Sequence, residues 1–492
     1  MNQTTRHVLV VGGGTAGSVL AARLSEIPTL SVTLLEAGPD HDAYDSVILE
    51  PVRATDAWVG SAPIAESMMA TATGAIRTLQ GRLLGGTSAV NGLATLRGLP
   101  PDYDAWAAAG LDGWGWDDVV DTFIAAERDV DFGSSAIHGS SGPLPVRRWR
   151  RDELSHAQRA YLDGMAEIGE PVVGDVNDPS QLPGIGVFPV TIDDAGQRVS
   201  TSLAYLTSEV RARENLAVRT NAEVATITVS GGRATGVTLV SGDHIDADEI
   251  VVAAGAIWSP TLLLRSGVGP AEQLTQHGIT VHADLPVGAT MSDHLGPGIP
   301  YHHAGPRGGA AGPAGVVLVG ASNGIDVDYH AFPVAPPSGG DATVFMMSVF
   351  LLRSSGNGSV RLGDTPEADP IVTAPPLPDD APDRLRHGFD RLVAWERSAA
   401  ARALGCQQLM PLDLAAPDAV GVALERNTMS YGHMTSTCPM GSVLDADCRV
   451  LGVDGLRVVD ASVMPTIPSG NTYLGCVMVA ERVARKMKVA AH

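Results

Sequence analysis

Val8-Leu9-Val10-Val11 leads into Gly12-Gly13-Gly14-Thr15-Ala16-Gly17, and Ser18-Val19-Leu20-Ala21-Ala22-Arg23-Leu24 follows. The apolar run reads as a buried strand of a parallel sheet. The glycines form G-x-G-x-x-G, and the text after them has a helical pattern. A second apolar run, Val32-Thr33-Leu34-Leu35, ends at Glu36, 19 residues after Gly17. Strand, glycine turn, helix, strand and acid together predict a dinucleotide site. Gly12 permits the sharp turn, Gly14 lets the backbone approach a pyrophosphate, and Gly17 lets the helix pack closely on the strand. The helix N-terminus offers free N–H groups and a positive dipole end to the phosphates. The Glu36 carboxylate is placed to accept ribose hydroxyls. An acid rather than Arg there disfavours a 2′-phosphate, which leaves FAD and NAD open. The plainer alternative is a glycine-rich turn with no ligand.

The rest of the 492-residue chain bounds the reading. It is too long for one ordinary domain. Charged residues are only 18% against 44% apolar, with 56 glycines and 33 prolines, which describes a globular, loop-rich protein. The net charge of −22 should repel nucleic acid and anionic membrane, so neither is expected as a partner. Cys406, Cys438, Cys448 and Cys476 show no CxxC spacing, which argues against a disulfide framework and against a zinc site. No apolar run approaches the roughly 20 residues of a membrane span. No signal-peptide pattern is seen, and the expected location is the cytoplasm.

Residues 39–80 read as a long surface excursion. Residues 102–129 read as helices whose Tyr103, Trp106, Trp114, Trp116 and Phe123 form an apolar packing centre. Residues 216–253 read as a β-meander with turns at Ser230-Gly231-Gly232 and Ser241-Gly242-Asp243, closing on a buried strand at 250–254. Strands are expected within 343–362, an amphipathic helix over 381–402 and a last helix over 473–488. The stretch 304–315, AGPRGGAAGPAG, is a low-complexity loop, either a lid or disordered.

Three further segments carry a family resemblance: Gly81-Arg82-Leu83-Leu84-Gly85-Gly86-Thr87-Ser88-Ala89-Val90-Asn91, the run from Gly255 to Gly269, and the stretch from Tyr431 to Val479. With the first motif they make the chain resemble the glucose-methanol-choline oxidoreductases, a family of FAD-dependent alcohol oxidases and dehydrogenases. The resemblance implies an α/β fold: a Rossmann-like FAD-binding domain with an interleaved α+β substrate-binding domain. It implies a division into 1–150, 200–294 and 436–492 for the FAD domain, and 151–199 and 295–435 for the substrate domain. The FAD contacts it implies are Gly12, Gly14, Thr15, Ala16, Gly17, Glu36 and Ala37, then Arg82, Gly85, Gly86, Ser88 and Asn91, then Val224, Ala254, Asp460, Ala461, Asn471 and Thr472. Some members carry a flavin-linked histidine where this chain has Val90, so the FAD is expected to be non-covalent. No metal is expected.

By the same resemblance His433 is the catalytic base and Asn471 its partner. Histidine suits the role because its ordinary pKa lies near neutrality. Asn471 can position the substrate oxygen without competing as a base; a helix N-cap is its plainer role. The implied reaction oxidises a primary or secondary alcohol to the carbonyl, with hydride passing to flavin N5 and electrons to molecular oxygen or another acceptor. An FAD-containing lyase or light-driven decarboxylase on the same fold is the alternative. Two positions depart from the family pattern: Ser436 stands where Gly is usual, and Pro439 where a basic residue is usual. Asp293-His294 matches a paired Asp-His of the family, and His294 is read as structural.

Overall fold

The computed structural model describes residues 5–58, 62–71, 74–305, 309, 311–334, 343–353 and 356–490. A five-stranded parallel sheet runs in the order Leu456–Val458, Glu249–Val252, Arg6–Val11, Leu30–Leu35, Leu216–Arg219. Its central strands are apolar on both faces because both are covered, by the opening helix and by the meander strand Arg233–Leu239: Val8, Leu9, Val10, Val251 and Val252 are buried. The opening helix Thr15–Leu24 packs against the last helix, Thr472–Ala490. The glycine turn therefore lies at the C-terminal edge of the sheet, where ligands of such sheets bind.

An antiparallel three-stranded meander, Val224–Ser230, Arg233–Leu239 and His244–Asp246, branches from this sheet. The expected meander began at 216. Instead Leu216–Arg219 is the outer strand of the parallel sheet, because its partner Leu30–Leu35 leaves that edge open.

The second core surrounds a seven-stranded antiparallel sheet. Its path is Gln407–Gln408, Leu295–His302, Val344–Leu351, Ile325–Val334, Val316–Ser322, Gly184–Val187, with Thr428–Ser430 also pairing to Leu295–His302. Helix Ala381–Glu396 buries Leu385, Phe389, Leu392 and Trp395 against it. The amphipathic pattern of 381–402 is two helices, not one. Ser398 caps Ala399–Leu404 by accepting from Ala401 N at 3.1 Å.

The excursion over 39–80 is partly ordered sheet: Ile64–Thr71 pairs with Gly74–Gly81 over its full length. Only every second residue of these strands is buried, among small and polar neighbours, so the apolar alternation is faint. The aromatic centre is as expected, with Tyr103, Trp106, Trp114, Trp116 and Phe123 in mutual ring contact at 5.0–6.3 Å. Of the 304–315 loop, residues 306–308 and 310 lie outside the described residues. Residues 311–315 are tied down: Ala311 N donates to Glu153 O, and Trp149 Nε1 to Ala314 O, each at 2.9 Å. No helix among the described residues is long and apolar enough to cross a membrane.

Candidate active site

The two glycine blocks meet at the sheet edge. A Cβ on Gly17 would stand 1.8 Å from Gly12 O, so only glycine lets the opening helix sit this close to the strand. A Cβ on Gly86 would stand 2.6 Å from Gly14 Cα, so the second block lies directly on the first. Gly85 N donates to Gly13 O at 2.8 Å, which fixes their register. The opening helix has Gly14 as N-cap and no side-chain cap, leaving the first-turn N–H groups of Thr15, Ala16 and Gly17 for an anion. This bare cradle fits a pyrophosphate.

The remaining expected FAD residues fall around it with different partners. Glu36 is buried; Oε2 accepts from Gly13 N and Oε1 from Gly38 N, both at 2.8 Å. Burial raises its pKa, and the two backbone donors pull it back down. Ala37 follows it, half-buried. Ser88 Oγ donates to Gly85 O at 2.6 Å and accepts from Thr201 N, closing the second block. The Arg82 side chain turns outward to Glu223, at 2.6 Å. Val224 starts the meander. Asp460 spends both carboxylate oxygens on the protein. One accepts from Gly255 N and Ser259 Oγ, the other from Ser462 N and Oγ, joining the Ala254 turn to Ala461–Val463.

Arg198 was not among the expected residues. Among the described residues its buried guanidinium has no carboxylate partner; it donates to Ile48 O, Ser88 O, Asn91 O and Asn91 Oδ1 at 2.7–3.3 Å. Burial lowers its pKa to about 10. It braces the turn that carries Gly86, Ser88 and Asn91. A lone arginine in Gln197-Arg198-Val199 gave no signal of this.

His433 and Asn471 are both buried, and Asn471 Nδ2 lies 3.1 Å from His433 Nε2. Asn471 Oδ1 has no hydrogen-bond partner among the described residues, and the Asn471 amide interacts with the Tyr431 hydroxyl. Thr472 begins the last helix immediately after. Leu295 pairs with Ser430, and Ser292 with Thr435. Two residues thus face four, and the extra chain bulges at Gly432, with φ +82°, turning His433 inward. Asp293 holds the bulge: Oδ1 accepts from His294 N at 2.8 Å and His433 N at 2.9 Å, and Oδ2 accepts from the Ser430 hydroxyl. Burial pushes Asp293 up to about 7.

The structure gives His294 a closer place than the structural one expected: its Nδ1 lies 2.9 Å from His433 Nδ1. The other face of the His433 ring is aromatic. Tyr431 stacks on His433 at 4.1 Å, and Phe350 on Tyr431 at 4.5 Å. Burial, with a smaller contribution from His330, pushes His433 down to about 3; burial alone does the same to His330. His433 is therefore neutral at ordinary pH. Ser436, at φ +67°, occupies the left-handed conformation that makes glycine the usual residue.

A phosphate-ready cradle beside a buried neutral imidazole and an amide defines a dinucleotide-dependent oxidoreductase site. Residues 7–296 match the N-terminal family profile described as GMC oxidoreductase, and residues 354–480 match the C-terminal one. The chain belongs to the GMC oxidoreductase family. It is an FAD-dependent enzyme acting on CH–OH groups, with the Rossmann-like and interleaved α+β architecture read from the sequence. It is 34% identical to 5-(hydroxymethyl)furfural oxidase of Methylovorus sp. (strain MP688), over 98% of this chain and 99% of that one. It is 30% identical to pyridoxine 4-oxidase of Microbacterium luteolum, over 98% and 99%. The crystal structure of pyridoxine 4-oxidase from Mesorbium loti superposes with a TM-score of 0.89 at 29% identity, covering 98% and 99%.

Proposed function

We propose that this enzyme oxidises a primary or secondary alcohol to the carbonyl, with His433 Nε2 taking the hydroxyl proton and Asn471 holding the substrate oxygen. The carrying observation is the buried approach of Asn471 Nδ2 to His433 Nε2 at 3.1 Å, with Asn471 Oδ1 left unpaired beside them. A neutral imidazole is a base ready to act, and a buried amide with spare hydrogen-bonding capacity suits a hydroxyl. FAD, when bound, supplies the acceptor for the substrate hydride. Gly12, Gly14, Gly17, Gly85 and Gly86 would hold its phosphates, and Glu36 its ribose. Val90 offers no side-chain nucleophile, so we propose non-covalent binding. The electrons pass on to oxygen or another acceptor.

The Tyr431–Phe350 stack beside the base favours a hydroxymethyl group on a planar ring, the kind of alcohol for which the two curated relatives above are named. The domain division set out from the sequence is kept as a proposal. So is a cytoplasmic location, which suits four cysteines that are all free thiols. The test is anaerobic mixing of holoenzyme with 5-(hydroxymethyl)furfural and pyridoxine. His433→Ala should keep its flavin spectrum and lose reduction of that flavin by at least about 100-fold. Unchanged reduction kinetics would remove His433 from the role. A flavin mass retained on the denatured protein would overturn the non-covalent reading.

A further inference from the structure

His433 has two ring nitrogens, and each faces one partner. Nε2 faces Asn471 Nδ2 at 3.1 Å; Nδ1 faces His294 Nδ1 at 2.9 Å. With Asn471 presenting its Nδ2, which only donates, Nε2 is the bare nitrogen. The one ring proton of neutral His433 is then on Nδ1, and His294 Nδ1 must accept it. That puts the His294 proton on Nε2, a buried nitrogen with no hydrogen-bond partner among the described residues; the backbone of Leu352 and Pro468 lies near the ring. Both rings are buried, and burial keeps both neutral, so neither nitrogen pair holds a second proton.

The reversed arrangement is easily written. Asn471 would present Oδ1, Nε2 would carry the proton, and the bare nitrogen would be Nδ1, buried between the two rings. An imidazole in that state has no lone pair facing a substrate. The same ring in the same place is a base in one tautomer and inert in the other.

We infer that His294 is a positioning residue: by accepting the Nδ1 proton of His433 it fixes the tautomer that leaves Nε2 bare towards Asn471 and the substrate hydroxyl. The inference rests on the proposed role of His433 as the base. The requirement is for an acceptor 2.9 Å from Nδ1. A glutamine amide oxygen at residue 294 can meet it, and a leucine cannot.

The experiment uses holoenzyme with 15N-labelled histidine, in wild type, His294→Gln and His294→Leu. The His433 resonances are assigned by their loss in His433→Ala. In wild type and His294→Gln, Nε2 should show the shift of a bare imidazole nitrogen and Nδ1 that of a protonated one. In His294→Leu the two forms should mix or invert. Flavin reduction by 5-(hydroxymethyl)furfural or pyridoxine is read alongside. His294→Leu should lose on the order of 100-fold or more, towards the 10⁴-fold known for a wrong histidine tautomer in a serine protease. His294→Gln should recover to within about 10-fold, with flavin content equal in both. The inference fails if Nε2 is protonated in wild type, or if His294→Leu leaves the tautomer unchanged. Equal loss of activity in the Gln and Leu variants with the tautomer intact also overturns it. Normal reduction in His433→Ala would instead bring down the base assignment, whatever the tautomer shows.

Discussion

Asp293→Asn should stabilise the protein by an amount that grows as pH rises from about 4 to about 7 and then levels off. Asp293 is fully buried and has no cation beside it; its partners are the His294 and His433 N–H groups and the Ser430 hydroxyl. Burial raises it to about 7 from an ordinary value near 3.8. A carboxyl raised on folding contributes stability that is fully present below its unfolded pKa and lost as pH rises through its folded one. The window is therefore about pH 4 to 7. Three pKa units correspond to about 4 kcal/mol, which the wild type forfeits by pH 8 and an amide does not. Asn has nearly the same shape, its oxygen still accepts the two backbone bonds, and Ser430 can turn to accept from its nitrogen. For a chain this long about 1 kcal/mol shifts Tm by about 1 °C. Holoenzyme should melt at the same temperature in both forms at pH 4, and Asp293→Asn about 3–4 °C higher at pH 8. Asp293→Ala strands three buried donors at about 1–3 kcal/mol each, and its deficit against wild type should be largest at pH 4. Equal Tm differences at pH 4 and 8, or an Asn variant weaker than wild type at pH 8, would refute the reasoning.

Gly17→Ala must push the opening helix off the strand, since its Cβ would lie 1.8 Å from Gly12 O; the absorbance ratio of flavin to protein after purification should fall at least about 10-fold. His138→Gln should cost about 3–5 kcal/mol in urea unfolding, because it leaves Glu127, Asp129 and Asp175 facing only Arg97 and Arg148. Burial opposes the His138 charge, but hydrogen bonds to those three carboxylates raise it to about 10. Its contribution is present below about pH 6.5 and fades as pH rises through about 10, so the gap between wild type and variant should narrow over that range. Ser436→Gly relieves a left-handed residue worth about 1–2 kcal/mol, while glycine adds about 0.5–1 kcal/mol of unfolded-chain entropy. Its Tm should stay within about 1 °C of wild type, and a larger fall would mean that the Ser436 hydroxyl, 3.1 Å from Thr435 Oγ1, does more than fill space.

What was legible in the sequence was what is local. The Val8–Glu36 unit declares itself because strand, turn and helix are contiguous, and each glycine answers a steric need within a few residues. The aromatic centre was legible because its rings lie within one short stretch. The hairpin at 64–81 was not: its buried residues alternate with Glu66, Arg77 and other exposed side chains, and its stability comes from pairing with Ile371–Thr373, remote in the chain. His433 and Asn471 were singled out by resemblance, but the contacts that hold them could not be. His294 and His433 are 139 residues apart, and the pairing of the 292–297 segment with 428–435 brings them together. Arg198 is the same kind of case, an isolated arginine whose four acceptors lie in segments far from it in sequence.

Two buried groups of titratable residues, around His138 and around His433, are built in opposite ways. Around His138 three carboxylates, Glu127, Asp129 and Asp175, meet His138, Arg97 and Arg148 in one ion-paired cluster, and hydrogen bonds to those carboxylates hold the proton on His138. Around His433 no cation and no ionised acid touches the ring. Its contacts are an imidazole, an amide and the face of Tyr431, and the nearest carboxyl, Asp293, binds the backbone rather than the ring. An aspartate on Nδ1 would make a stronger base, but it would also favour imidazolium at rest, a state that can accept no proton. A neutral acceptor fixes the direction of the ring without charging it. Neutral His294 on Nδ1 is thus the partner expected for a base that must be empty when the alcohol arrives. In the proposed reaction, the same burial that lowers His433 would make a proton taken from the alcohol costly to keep, favouring its release after each turnover.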